Sequence, residues 1–235
     1  MMVWLHGGAF FLGAGHLGSY NGTSNAKQGV ITVTINDRLG SLGGFAHPAL
    51  TEEAADGDWL GSYALMDAVA ALEWVKRNAA AFGGDADNVT LAGQSAGASA
   101  VVGLLSVSAA KGLFHKAIIQ SGANTRPDPT LADAEESGVE TATKLGLSGA
   151  DATAEELRAV SAQSLVTAYG ALRTAMVPLN SFPSDGRFKT TATIDALNAG
   201  TETDVSLMIG ANSGEQGMDG ARTIAGLAGD SGAGA

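Results

Sequence analysis

A serine hydroxyl attacks a carbonyl only when the backbone presents it, donors await the developing oxyanion and a base takes its proton. Gly93-Gln94-Ser95-Ala96-Gly97 meets the first condition. It follows the run Asn88-Val89-Thr90-Leu91 and opens the helical pattern Ala96, Ala98, Val101, Val102, Leu104 and Leu105. G-x-S-x-G between a strand and a helix is the sharp turn that exposes a nucleophilic serine. Its glycines are needed because strand and helix leave no room for side chains there. The helix amino terminus then aims at the reacting carbonyl and favours negative charge. His6-Gly7-Gly8-Ala9-Phe10, directly after the apolar run Met2 to Leu5, meets the second condition. Its small residues let backbone N–H groups approach a substrate closely. For the third, the sequence holds four imidazoles, His6, His16, His47 and His115.

These residues need a scaffold. Short β-rich runs bounded by glycine or polar turns read as buried parallel strands: Met2 to Leu5, Val30 to Ile35, Val89 to Leu91, Ala117 to Ile119 and Val205 to Ile209. Leu65, Ala68, Val69, Leu72 and Val75 fall on one face of a helix, with Lys76 and Arg77 at its negative end. Strands alternating with helices predict an α/β fold, a mostly parallel sheet with helices on both faces. Residues 126–200 read as a helical excursion over the sheet, with helices over Ala132 to Leu145 and Ala154 to Val160. The Gly- and Ala-rich 226–235 reads as a frayed tail, and 1–235 as a single, truncated domain.

Composition narrows the function. A hydrophobic content of 45% over 235 residues supports a substantial core. The formal charge of −11 argues against nucleic-acid partners, which demand a basic patch, and against docking on anionic membranes. The absence of cysteine excludes thiolate catalysis, zinc–thiolate sites and disulfides, while leaving the compartment open between cytoplasm and export. No apolar run is long enough to span a bilayer. Met1 to Leu5 lacks the basic flank and cleavage site of a signal peptide. Phe10, Phe11, Trp59 and Phe114 are candidates for an apolar wall, although core packing is the commoner role for any one of them.

The stretches VWLHGGAF, VTINDRLGSLGGF, ALEWVKRNAAAFGGDADNVTLAGQSAGA and KGLFHKAIIQSG, followed by LMIGANSGEQG, resemble the type-B carboxylesterases in content and order, from residue 2 to about 218. The resemblance implies the α/β-hydrolase fold, incomplete here at both ends. It implies a carboxylic ester hydrolase working through an acyl-serine intermediate, with a small-molecule ester as substrate and no cofactor or metal. Ser95 is then the nucleophile and Glu215, after the strand ending at Ile209, the acid that orients a histidine. The N–H groups of Gly8, Ala9 and Ala96 form the oxyanion hole, with Gln94 behind them. Non-catalytic adhesion members of the superfamily typically lose the nucleophile, whereas Ser95 is in place.

Four positions depart from the family's usual residues. Gln94 replaces a glutamate, Asp37 a tyrosine, and Ala64 and Ala9 glycines. The triad of this fold runs serine, acid, histidine, yet no histidine follows Glu215. The expectation is therefore an internal fragment whose catalytic histidine lies beyond this chain, inactive by itself.

Overall fold

The computed structural model describes residues 1–55, 58, 60–122, 127–172 and 182–213. The β-branched and apolar runs form five strands: β1 (Met2–Leu5), β2 (Thr32–Thr34), β3 (Thr90–Gln94), β4 (Lys116–Gln120) and β5 (Ser206–Gly210). They make one sheet in the order β2-β1-β3-β4-β5, and every pairing is parallel. The five strands expected from the sequence are those found, with shifted ends. The run at Val30 to Ile35 shortens to three residues, while the run at Val89 extends to Gln94 because its ladder with β4 continues to Gln94↔Gln120.

Parallel neighbours need crossovers, and these carry the helices. The first contains α1 (Thr23–Ala26); the second holds α2 (Pro48–Glu53) and α3 (Tyr63–Asn78). α4 (Ala96–Leu105) joins β3 to β4. Between β4 and β5 run α5 (Leu131–Lys144), α6 (Ala154–Ala159), α7 (Ala162–Leu172) and α8 (Thr193–Ala199). α3 buries Leu65, Ala68, Val69, Leu72 and Val75, the stripe its spacing dictates. α4 is buried at every position except Ser99, because it packs on β1, β3 and β4 and also touches α3 and α8. Val3, Leu5, Leu91, Ala117 and Ile119 close the core from the sheet side. On the other face Tyr20, from the β1–β2 crossover, stands 5.8 Å from Trp4.

A second, smaller apolar cluster gathers Ala142, Ala152 and Leu157 against Phe45, Ala49 and Leu50. It fastens α5 and α6 to α2. Both of those helices begin in a reciprocal capping box, Thr130 with Asp133 and Thr153 with Glu156. Side-chain hydrogen bonding to the threonine, joined by its N–H, holds the Asp133 carboxyl below its usual range; for Glu156 the threonine N–H contributes most. Among the described residues no helix is long and apolar enough to cross a membrane.

The strand order fixes where chemistry belongs. β1 leads outward to β2 on one side, while β3 leads to β4 and β5 on the other. Connections therefore diverge between β1 and β3, which opens a crevice at their carboxyl ends, the place where open α/β sheets bind ligands. Register places Leu5 opposite Gly93. The residues that follow each strand, His6 to Ala9 and Gln94 to Ala96, meet in that crevice.

Candidate active site

Ser95 links β3 to α4 with φ 54° and ψ −121°, a conformation that L-residues rarely hold. Neighbouring contacts impose it. A Cβ on Gly93 would lie 2.4 Å from the Gly97 carbonyl, and one on Gly97 would lie 2.1 Å from the Leu5 oxygen. Strand and helix thus cross at backbone contact, as the two glycines of the motif require. The Ser95 N–H donates to the Gln120 carbonyl at 2.9 Å, tying the turn to the end of β4. Gly122 closes beneath it, where a Cβ would fall 2.1 Å from the Ser95 carbonyl oxygen. Ser99, one turn into α4, donates to the Gly122 carbonyl at 2.7 Å.

The glycine loop lies beside the serine. A Cβ on Gly7 would stand 3.3 Å from the Ser95 Cβ and 2.7 Å from Gln94 Oε1, so the Gln94 carboxamide lies over this glycine. Gly8, Ala9 and Phe10 all have positive φ, at 128°, 54° and 56°. This turn is closed by the Gly8 carbonyl, which accepts from the N–H groups of Phe11 and Leu12 at 3.0 Å. The N–H groups of Gly8, Ala9 and Ala96 donate to no described protein group. Three unspent backbone donors near one hydroxyl, one of them at a helix amino terminus, are the equipment an oxyanion requires.

The four imidazoles are accounted for. His47 is fully buried, with Nε2 3.0 Å from the Gly149 carbonyl and Nδ1 accepting from Ala49 N–H at the start of α2. It is the amino-terminal cap of that helix. His115 Nδ1 accepts from Val89 N–H at 3.2 Å, a structural role. His16 is exposed. His6 is 6% exposed and its ring faces the Gly7 carbonyl and Asp37. Of the aromatic candidates, Phe114 lies in the core and Phe10 packs edge-on to Phe182 with centroids 4.9 Å apart. Trp59 and Glu215 lie outside the described residues. An open cleft of about 540 Å³ lies between α2, α3 and Arg158, but none of its lining residues belongs to the serine turn or the glycine loop.

Sheet, switch point and serine turn together define an α/β-hydrolase. The chain belongs to the carboxylesterase family, whose sequence model matches residues 1–227. It is 46% identical over 176 residues to the para-nitrobenzyl esterase of Bacillus subtilis (strain 168), covering 74% of this chain and 34% of that protein. It is 38% identical to the fumonisin B1 esterase of Sphingopyxis macrogoltabida, covering 92% of this chain and 39% of the relative. Among solved structures, a PNB esterase superposes with a TM-score of 0.78 at 37% identity, covering 90% of this chain and 45% of its own. The chain thus spans less than half the length of these relatives.

Proposed function

We propose that this chain carries the nucleophile, the oxyanion hole and the triad acid of a serine carboxylesterase. The observation that carries the reading is the strained Ser95 turn set among three unspent N–H donors. Ser95 Oγ adds to the ester carbonyl carbon while a histidine from beyond residue 235 takes its proton. The carbonyl oxygen, now an anion, is held by the N–H groups of Gly8, Ala9 and Ala96. Collapse of this intermediate expels the alcohol, which receives the proton from the imidazolium and leaves an acyl-serine. Water, deprotonated by the same imidazole, then releases the carboxylic acid and restores Ser95. Glu215 holds the imidazole in the required tautomer and offsets its positive charge. The four histidines of this chain are not cast as the base, since His6, His47 and His115 have structural partners and His16 is exposed.

The test compares the full-length enzyme with its variants on a nitrophenyl ester. Ser95→Ala is expected to lower turnover by about six powers of ten, and Glu215→Gln by about four. The 235-residue chain alone is expected to retain only the advantage of its donors, roughly a thousand- to ten-thousand-fold over water. Ser95-dependent turnover by that chain at about 10 per second, the common enzymatic rate, would show that one of its own histidines is the base.

A further inference from the structure

Among the described residues, four that are not glycine hold a positive φ: Ala9, Phe10, Ser95 and Ser121. Phe10, at 56°, is the bulkiest of them, and a left-handed backbone is an outlier for a large side chain. It directly follows Ala9, at 54°. Two such residues in succession persist only where the surroundings over-determine them. The hydrogen bonds that close this turn run from Phe11 and Leu12 to Gly8 and do not engage the Phe10 side chain. Phe10 is held by other contacts.

Its carbonyl accepts from the Gly40 N–H at 2.7 Å. Its ring meets Phe182 edge-on, with centroids 4.9 Å apart and planes at 77°, a favourable geometry for two aromatic rings. Ring and carbonyl both lie beyond the N–Cα bond about which φ turns. With Ala9 in place, rotation into the ordinary negative range would swing both away from their partners. Phe182 is itself firmly seated. It is buried, and its carbonyl accepts from the buried Lys189 ammonium at 3.5 Å. The carbonyl of the next residue, Pro183, accepts from the buried Ser62 hydroxyl at 3.4 Å. Phe182 Cδ2 stands 3.6 Å from the place a Cβ on Gly103 would take, against α4. One ring thus touches both the loop that carries Gly8 and Ala9 and the helix that begins after Ser95.

We infer that Phe182 is a positioning residue for the glycine loop: by bracing Phe10 in its left-handed conformation, it keeps the Gly8 and Ala9 N–H groups aimed at the substrate of Ser95. This rests on the reading of those two N–H groups as oxyanion donors. Phe182 acts through Phe10 and not by touching the ester. Its loss therefore falls on the charge that develops in the transition state, and lowers kcat more than it weakens substrate binding.

A double-mutant cycle in the full-length enzyme tests it on a nitrophenyl ester. Phe182→Leu is expected to lower kcat at least about tenfold with KM little changed, part of the roughly 10²–10³ at stake in one oxyanion donor. Phe10→Leu breaks the same contact from its half-buried side and spares the core, and should give a similar loss. Glycine holds a positive φ without strain, so the brace is dispensable beside Phe10→Gly. In that background Phe182→Leu is expected to cost no more than about twofold further, the non-additivity of two residues acting as one unit. An equal loss with and without Phe10→Gly, or a raised KM at constant kcat, overturns the inference. Nuclear magnetic resonance on the isotopically labelled 235-residue chain reads the conformation apart from catalysis. The backbone carbon shifts and couplings of Phe10 should report a positive φ, and should lose it in Phe182→Leu. A positive φ kept in that variant overturns the inference whatever the enzyme's activity. Full hydrolysis by Ser95→Ala would instead overturn the catalytic reading and leave the brace standing.

Discussion

Ser95, the proposed nucleophile, stores backbone strain. Its φ of 54° and ψ of −121° cost a side-chain-bearing residue about 1–3 kcal/mol, a conformation that glycine adopts freely. Ser95→Gly is therefore expected to stabilise the chain by about 1 kcal/mol after glycine's larger unfolded-state entropy is deducted, raising Tm by roughly 2–4 °C. Ser95→Ala keeps the Cβ and should leave Tm unchanged. Thermal denaturation of the two variants decides it, and a glycine variant less stable than the alanine one would show that the turn is not strained. The motif itself was legible in the sequence, because Gly93 and Gly97 flank a serine between a strand run and a helical run. The His6–Asp37 contact was not legible. Asp37 is 31 positions away, and only the parallel pairing of β1 with β2 brings the residues after each strand together.

At the scale of elements, the periodic segments could be read and the aperiodic ones could not. The stripe on α3 and the strand runs follow from side-chain spacing alone. α2 is six residues long and capped by His47 in place of Ser, Thr, Asp or Asn, so neither period nor cap announced it. The stretch Phe182 to Lys189 falls within the segment read only as a helical excursion, with no residue of it singled out, yet Lys189 is fully buried, with Nζ 2.5 Å from Asp128. Burial pushes its ammonium below the usual lysine range, against the opposing attraction of Asp128. Asp128 also accepts from Thr193 N–H, while Asp185 accepts from the N–H groups of Leu60, Arg187 and Lys189. These carboxylates secure the segment before α8 to the start of α3. Lys189→Met should cost about 3–5 kcal/mol by leaving the Asp128 charge buried alone, and adding Asp128→Asn should restore much of it. Denaturant unfolding of the single and double variants checks this. Equal loss in both would assign the cost to Lys189 packing and not to the unpaired charge.

The whole molecule explains why a serine motif so short is informative here. The sheet order turns back between β1 and β3, and that reversal places the glycine loop and the serine turn in one crevice. Sequence patterning predicted alternating strands and helices, and the resemblance supplied the fold's identity; the order β2-β1-β3-β4-β5 depends on crossovers that no local pattern specifies. Glu215 entered through resemblance and lies outside the described residues, so its role is tested by kinetics. The nucleophile can be tested more directly. Full-length enzyme treated with a fluorophosphonate and digested should give one phosphonylated peptide, modified at Ser95, in step with loss of esterase activity. Complete inactivation with the label on another residue, or with Ser95 unmodified, would contradict the account.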